Sequence, residues 1–308
     1  MAKNTAPVRR SKSADFSPHR IHGGGAFPGL TAETAEYESV NEFHTLCTLG
    51  LCHDVLQIIG QPPKDRYVQN GVSREYTPDF TVRMTDCKMR LEIKSISTFV
   101  LSDSAINKYL AIAKSYAERG EPFALLLDVQ LEDRPRFESV SLLARYLGNK
   151  PHAHTIARAA AALQKGPLRV QQLLESAELT LSDVWTLIAR RHLCFDWGRA
   201  LDPSRTEVSL PGQPFEGLKL EHILRSTRYG RFVEQMALGG RAPDKRLLAG
   251  AQDWRRPSRT PQPWSVVGCC EFGEPLRSLE PQERLPRNPD LRRSRAPGLG
   301  ASNPDQHD

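Results

Sequence analysis

Glu75-Tyr76-Thr77-Pro78-Asp79-Phe80-Thr81-Val82, followed after a short polar turn by Met89-Arg90-Leu91-Glu92-Ile93-Lys94-Ser95, sets the architecture of this chain. The second segment alternates. Met89, Leu91 and Ile93 fall on one face of an extended strand, and Arg90, Glu92 and Lys94 fall on the other. Pro78 cannot donate to a sheet ladder, so it marks a strand start, an edge or a bulge, where side chains are re-aimed toward a site. Asp79, Glu92 and Lys94 are thereby offered by adjacent strands. A hard divalent cation takes oxygen ligands, and Mg²⁺ uses one or two carboxylates plus substrate phosphate oxygens. A lysine beside such an ion can orient the attacking water or hold developing negative charge. The pattern is that of a metal-dependent phosphodiesterase. Its competitor is an exposed, charged strand pair in which Glu92 and Lys94 form ordinary salt bridges.

Upstream, residues 33–51 have helical spacing, with Phe43, Leu46, Cys47 and Leu51 on the apolar face. Glu42 lies at the edge of that face and can look inward toward a site. On periodicity alone a solvated helix glutamate is the better reading. Residues 54–59 read as a strand ended by Gly60-Gln61-Pro62-Pro63. Downstream, residues 104–119 form an amphipathic helix that buries Ile106, Leu110, Ile112, Ala113 and Tyr116 and stops at Gly120. A buried strand over 123–129 and a helix over 139–147 complete the set. This order predicts an α/β domain over residues 31–149, a mixed sheet flanked by helices.

After Lys150-Pro151 the pattern becomes helical. Helices are expected over 155–164, 168–175 and 180–192, the last with Ser182 as N-cap, then strands over 193–197 and 206–210. Three helices followed by a two-stranded ribbon is the winged-helix order, predicted for residues 150–246. Arg190-Arg191-His192 at the end of the third helix suit phosphates or the helix dipole, so Arg190 and Arg191 are candidate contacts to DNA or a partner. Residues 1–30 are polar and basic, with Gly23-Gly24-Gly25 as a flexible linker, and read as a disordered arm. Residues 247–308 carry nine of the 23 prolines, nine arginines and no lysine, a disordered composition.

The 308 residues leave room for two domains with real cores. A net charge of +6, a pI near 9.0 and a mean hydropathy of −0.48 are compatible with a polyanionic partner without naming one. The most apolar run, residues 123–127, is too short to span a bilayer. Six scattered cysteines without a CxxC pair, and no charged-then-apolar leader, point to a reducing cytoplasm. Cys47, Cys52 and His53 lack the second ligand pair a zinc site needs. His152 and His154 sit in a linker and read as solvated. With no phosphate loop, nucleotide hydrolysis would have to come from a partner.

The pairing of Pro78-Asp79 with Glu92-Ile93-Lys94 resembles the PD-(D/E)xK nuclease superfamily. More narrowly, Ser39-Val40-Asn41-Glu42-Phe43, Asp54-Val55, Gln61-Pro62, Tyr76-Thr77-Pro78-Asp79-Phe80 and Leu91-Glu92-Ile93-Lys94 resemble the TnsA-type endonuclease subunits of heteromeric transposases. The resemblance implies a restriction-endonuclease-like α/β domain followed by a winged helix, and it selects Glu42 over Glu38 by distance to Gln61-Pro62. It implies that Glu42, Asp79, Glu92 and the Ile93 carbonyl hold Mg²⁺, with Mn²⁺ able to substitute. Lys94 would position water or support the transition state, and Gln61 would line the site. It further implies cleavage of one strand at each transposon 5′ end, with an integrase-type transposase subunit and an AAA+ ATPase regulator as partners. The setting would be the bacterial cytoplasm, on the nucleoid. The family's tail pattern is not matched. A stand-alone restriction- or resolvase-type nuclease, or a non-catalytic winged-helix DNA-binding adaptor, are the alternatives.

Overall fold

The computed structural model describes residues 23–31, 34–226, 229–240 and 242–248, all within one compact unit of the chain. Residues 1–22 of the arm expected over 1–30, and all but the first two residues of the tail expected over 247–308, lie outside the described residues. In chain order the first half runs β1 (Gly23–Gly25), β2 (Ala35–Tyr37), α1 (Val40–Leu51), β3 (Val55–Gly60), β4 (Asp65–Gln69), β5 (Val72–Tyr76), β6 (Phe80–Met84), β7 (Lys88–Lys94), α2 (Ile96–Leu101), α3 (Asp103–Glu118), β8 (Phe123–Leu127), α4 (Asp128–Leu131) and α5 (Arg134–Leu143).

The central sheet has the order β3-β6-β7-β8. Its first two pairings are antiparallel and the last is parallel. The parallel pair needs a crossover, and α2 with α3 supplies it. The mixed sheet flanked by helices is therefore present as expected. Leu91 and Ile93 point into a core with Leu46 and Leu49 of α1. Each such leucine, fully buried, contributes about 2 kcal/mol of transfer free energy. β8 is buried along its whole length because both faces of the sheet are covered.

Several details depart from the sequence reading. The glycine run does not stay free but pairs with β2, and Phe27 and Leu30 behind it are buried. The helix expected from residue 33 begins only at Val40, because Ser39 caps it and β2 takes the preceding residues. The extended stretch quoted from Glu75 to Val82 is broken at Thr77–Asp79, and residues 65–76 form the β4–β5 hairpin around Asn70 and Gly71, both at positive φ. That is the primed-turn geometry an Asn-Gly pair favours.

The second half contributes α6 (Ala153–Ala162), β9 (Leu168–Arg169), α7 (Val170–Ser176), α8 (Leu181–Ala189), β10 (Cys194–Phe195), β11 (Glu207–Ser209), α9 (Leu220–Arg225) and α10 (Gly230–Leu238). β9, β10 and β11 form a small antiparallel sheet in the order β10-β11-β9. Thr180, not Ser182, caps α8. Its hydroxyl accepts the Asp183 N–H at 3.1 Å, and the Asp183 carboxylate accepts the Thr180 N–H at 2.9 Å. That reciprocal box satisfies two otherwise orphan donors. α8 is buried from Val184 to Ala189 and packs on α5 and the turn after it.

α10 then returns to the central sheet. It lays Phe232, Val233 and Met236 on α3 and β8, so the second sheet face is sealed by a segment from far along the chain. That face carries Glu92.

Candidate active site

The site begins where the strand ladder stops. Phe80 pairs with Leu91 at the end of the β6–β7 register, which sets Asp79 and Glu92 side by side one step further out. Pro78 lies in the break between β5 and β6, where no ladder donor is required. The Ile93 N–H donates to Asp79 Oδ2 at 2.7 Å, and the Gln61 N–H donates to the Asp79 carbonyl at 3.0 Å. Asp79 is thus fixed from both neighbouring strands. Downstream, Ser95 caps α2, and the buried Asp128 accepts the Ile96 N–H at 2.9 Å. The end of β7 that carries Lys94 is pinned in the same way.

Glu92 is only 2 % exposed, which an ionised carboxylate tolerates only when partnered. It has three partners. Tyr76 donates its hydroxyl to Oε2, Tyr109 of α3 donates to Oε1 at 3.0 Å, and Lys94 Nζ lies 2.5 Å from Oε1. Lys94 Nζ also donates to the Ile93 carbonyl at 2.8 Å and lies 3.5 Å from Asp79 Oδ2. Three of the oxygens expected to ligate a metal therefore surround one ammonium. The cluster is closed at Glu92 and partly open at Asp79 and Lys94, whose side chains keep 19 % and 27 % exposure.

Electrostatics follow from this enclosure. Burial, then the neighbouring Glu92 charge, pushes the Asp79 carboxyl up to about 7, although Lys94 and the Ile93 N–H pull it the other way. Burial alone would lower Lys94, but the Glu92 and Asp79 carboxylates overcome it and raise the ammonium above its ordinary value. Tyr76 and Tyr109 are both pushed up by burial and by Glu92, so their hydroxyls stay protonated and donate.

The other expected site residues make their hydrogen bonds outside this cluster. Glu42 adds its charge to the field at Asp79, but its carboxylate is engaged in capping α1. Oε1 accepts the Ser39 hydroxyl at 2.8 Å and Oε2 accepts the Glu38 N–H at 2.8 Å. The Gln61 side chain donates to Glu38 at 2.9 Å, and its backbone is in the left-handed region. Arg190 donates to the carbonyls of Leu147 and Pro28, at 3.1 and 2.7 Å. Arg191 donates to those of Cys52 and Val55, at 2.8 and 2.7 Å. Both guanidinium groups thus bind the first half of their own chain.

Two residues were missed in the sequence. Tyr76 stood inside the quoted motif without a role, and Tyr109 was absent from the buried side of its helix. Its signal was there: Ile106, Tyr109, Ala113 and Tyr116 are spaced three, four and three apart, and all four are buried.

The chemistry of the oxygen set suits a hard cation, since Asp79, Glu92 and the Ile93 carbonyl already converge on a positive charge. Among the described residues no three His, Cys, Asp or Glu side chains are gathered closely enough to hold a metal ion. Cys47 and Cys52 are buried thiols outside any disulfide. His53 lies 3.7 Å from the Cys194 sulfur, with its imidazole held down at about 4 by burial and then by Arg191. A cavity of about 380 Å³ lies between Arg136 of α5 and Phe195, Trp197 and Phe215 of the second half, and takes no residue from the carboxylate cluster.

No protein-family model and no curated protein matches the chain. Among the described residues, no helix is long and apolar enough to cross a membrane.

Proposed function

We propose that the chain is a metal-dependent DNA endonuclease of the PD-(D/E)xK type, acting as the subunit that cuts transposon 5′ ends. One observation carries this reading. Asp79, Glu92 and the Ile93 carbonyl, from the end of one strand and the next, direct three oxygens onto a single cationic centre. Asp79 and Glu92, with the Ile93 carbonyl, would hold Mg²⁺ or Mn²⁺, and Glu42 would join them on leaving its cap. An ion there supplies charge neutralisation at a scissile phosphate and a more acidic bound water. Lys94 keeps 27 % side-chain exposure beside these oxygens. It can accompany the phosphate and hold negative charge that develops on it.

The helix, strand, helix, helix, strand, strand order of residues 153–209 supports the winged-helix reading of the second half. An integrase-type transposase subunit and an AAA+ regulator remain the proposed partners. A stand-alone nuclease is separated from this by whether the purified protein cuts plasmid DNA efficiently by itself.

A second reading has its own support. Both Glu92 oxygens are already bonded and Glu42 is committed to a helix cap, as in a purely structural ion cluster within a DNA-binding adaptor. The deciding experiment is strand cleavage with Mg²⁺ and the partner subunits, comparing Asp79→Ala and Lys94→Ala with the parent. Full cleavage by both variants would sink the nuclease assignment and leave the adaptor.

A further inference from the structure

Glu92 does not hold its place by backbone alone. Its two oxygens are taken by two hydroxyls from separate elements, Tyr76 at the end of β5 and Tyr109 in the middle of α3. Two donors on two oxygens fix both the plane and the direction of a carboxylate, where one donor would leave it free to rotate. Tyr109 is itself held. Its ring meets Phe99 edge-on at 5.6 Å, and Phe99 meets Phe232 of α10 at 5.5 Å. Phe99 and Phe232 are fully buried, so neither ring can shift without opening a void. The chain Phe232, Phe99, Tyr109, Glu92 links a helix far along the sequence to the carboxylate.

We infer that Tyr76 and Tyr109 are positioning residues for Glu92, and that α10 braces the second of them through Phe99 and Phe232. The inference rests on the nuclease reading, since it assigns what aligns one of the proposed metal ligands. Groups that orient a ligand matter nearly as much as the ligand, and their loss typically costs about 10- to 100-fold in metal affinity. Aromatic edge contacts of this kind also transmit displacement, because a close-packed interior does not absorb it.

The test is Mn²⁺ binding by the full chain, read from the loss of the free-ion signal in electron paramagnetic resonance, with no DNA present. Tyr109→Phe and Tyr76→Phe keep the rings and remove one hydroxyl each. Each is expected to weaken Mn²⁺ binding about tenfold or more, with metal-free DNA affinity and circular dichroism unchanged. Phe232→Leu is expected to weaken it by a smaller factor with all hydroxyls intact. Should Phe232→Leu fail to fold, Phe232→Met carries the same measurement. Parental affinity in both tyrosine variants, while Asp79→Asn loses binding, would overturn the positioning role and leave the nuclease reading standing. Parental affinity in the Phe232 variant would overturn the brace. Absence of Mn²⁺ binding by the parent itself would overturn the metal site, and the inference with it.

Discussion

Lys94 Nζ lies 2.5 Å from Glu92 Oε1, on a carboxylate that is almost completely enclosed. An exposed pair of this kind is worth well under about 1 kcal/mol. Here the partner carboxylate has left water, so the ammonium is what makes its charge tolerable. The same ammonium touches the Ile93 carbonyl and approaches Asp79. Lys94 is therefore the resident counter-ion of the cluster as well as its proposed catalytic amine.

Removing that counter-ion should be costly in a specific way. Lys94→Met leaves a buried carboxylate with only tyrosine donors, and breaking a buried pair by deleting one partner costs about 3–5 kcal/mol. Glu92→Gln in the same background removes the stranded charge and should restore much of the loss. Urea denaturation of the parent, both single variants and the double variant gives the coupling directly. A Lys94→Met cost below about 1 kcal/mol would show that the tyrosines alone satisfy Glu92.

Asp79 should make the protein less stable as the medium becomes alkaline. Its carboxyl is lifted to about 7 in the fold, above the ordinary value of 3.8, by burial and then by Glu92. The folded state therefore holds a proton that the unfolded chain has released across that window. Its contribution to stability is greatest below about pH 4 and is lost as pH rises toward 7. Asp79→Asn keeps an acceptor for the Ile93 N–H and has no charge to bury. The variant should gain on the parent by about 2 kcal/mol at pH 8, with the gap closing near pH 4. Thermal unfolding across pH checks this; a variant less stable than the parent at pH 8 would contradict it.

The carboxylate pair was legible in the sequence, but its surroundings were not. Alternation from Met89 to Lys94 gave β7 and its two faces, and Pro78 placed Asp79 at a strand start. The same alternation left Arg90, Glu92 and Lys94 on a face that looks solvated. Only α10 and α3 make it an interior, and the docking of α10 is a tertiary event that no local period records. The β4–β5 hairpin was signalled by Asn70-Gly71, yet β5 is exposed over Val72–Glu75 and offers no apolar alternation to confirm a strand. Glu42 stood at the distance from Gln61-Pro62 that the family resemblance selects and also at the third position after Ser39, and the second relationship is the one its carboxylate satisfies.

Arg191 should matter to folding more than to nucleic acid. Its guanidinium joins the carbonyls of Cys52 and Val55, both on fully buried residues, to the end of α8. Arg191→Ala strands those acceptors and should cost about 2–3 kcal/mol. Because the residue has φ of 65°, Arg191→Gly should cost less than alanine by up to about 1 kcal/mol. The logarithmic salt dependence of DNA binding, measured beside urea stability, should keep its slope. A slope shallower by about one phosphate contact with unchanged stability would instead make Arg191 a DNA ligand.

Glu42 can be separated into its two relationships by pairing it with its cap. Ser39→Ala removes the hydroxyl that accepts the Glu42 N–H at 3.2 Å and donates to its carboxylate, and should cost about 1 kcal/mol. Glu42→Gln keeps the reach of the side chain and removes its charge, so it should destabilise by less than that. The Glu42 charge also helps to hold the Asp79 carboxyl up, so the pH window over which Asp79 erodes stability should move down in Glu42→Gln. A carboxylate that only caps α1 predicts these two effects with cleavage retained. A ligand predicts the same stability changes together with loss of cleavage and of Mn²⁺ affinity, whereas Ser39→Ala, which frees Oε1 and leaves Oε2 on the Glu38 N–H, should leave both intact. Loss of cleavage in Ser39→Ala alone would mean that the cap, and not the charge, is what the site requires.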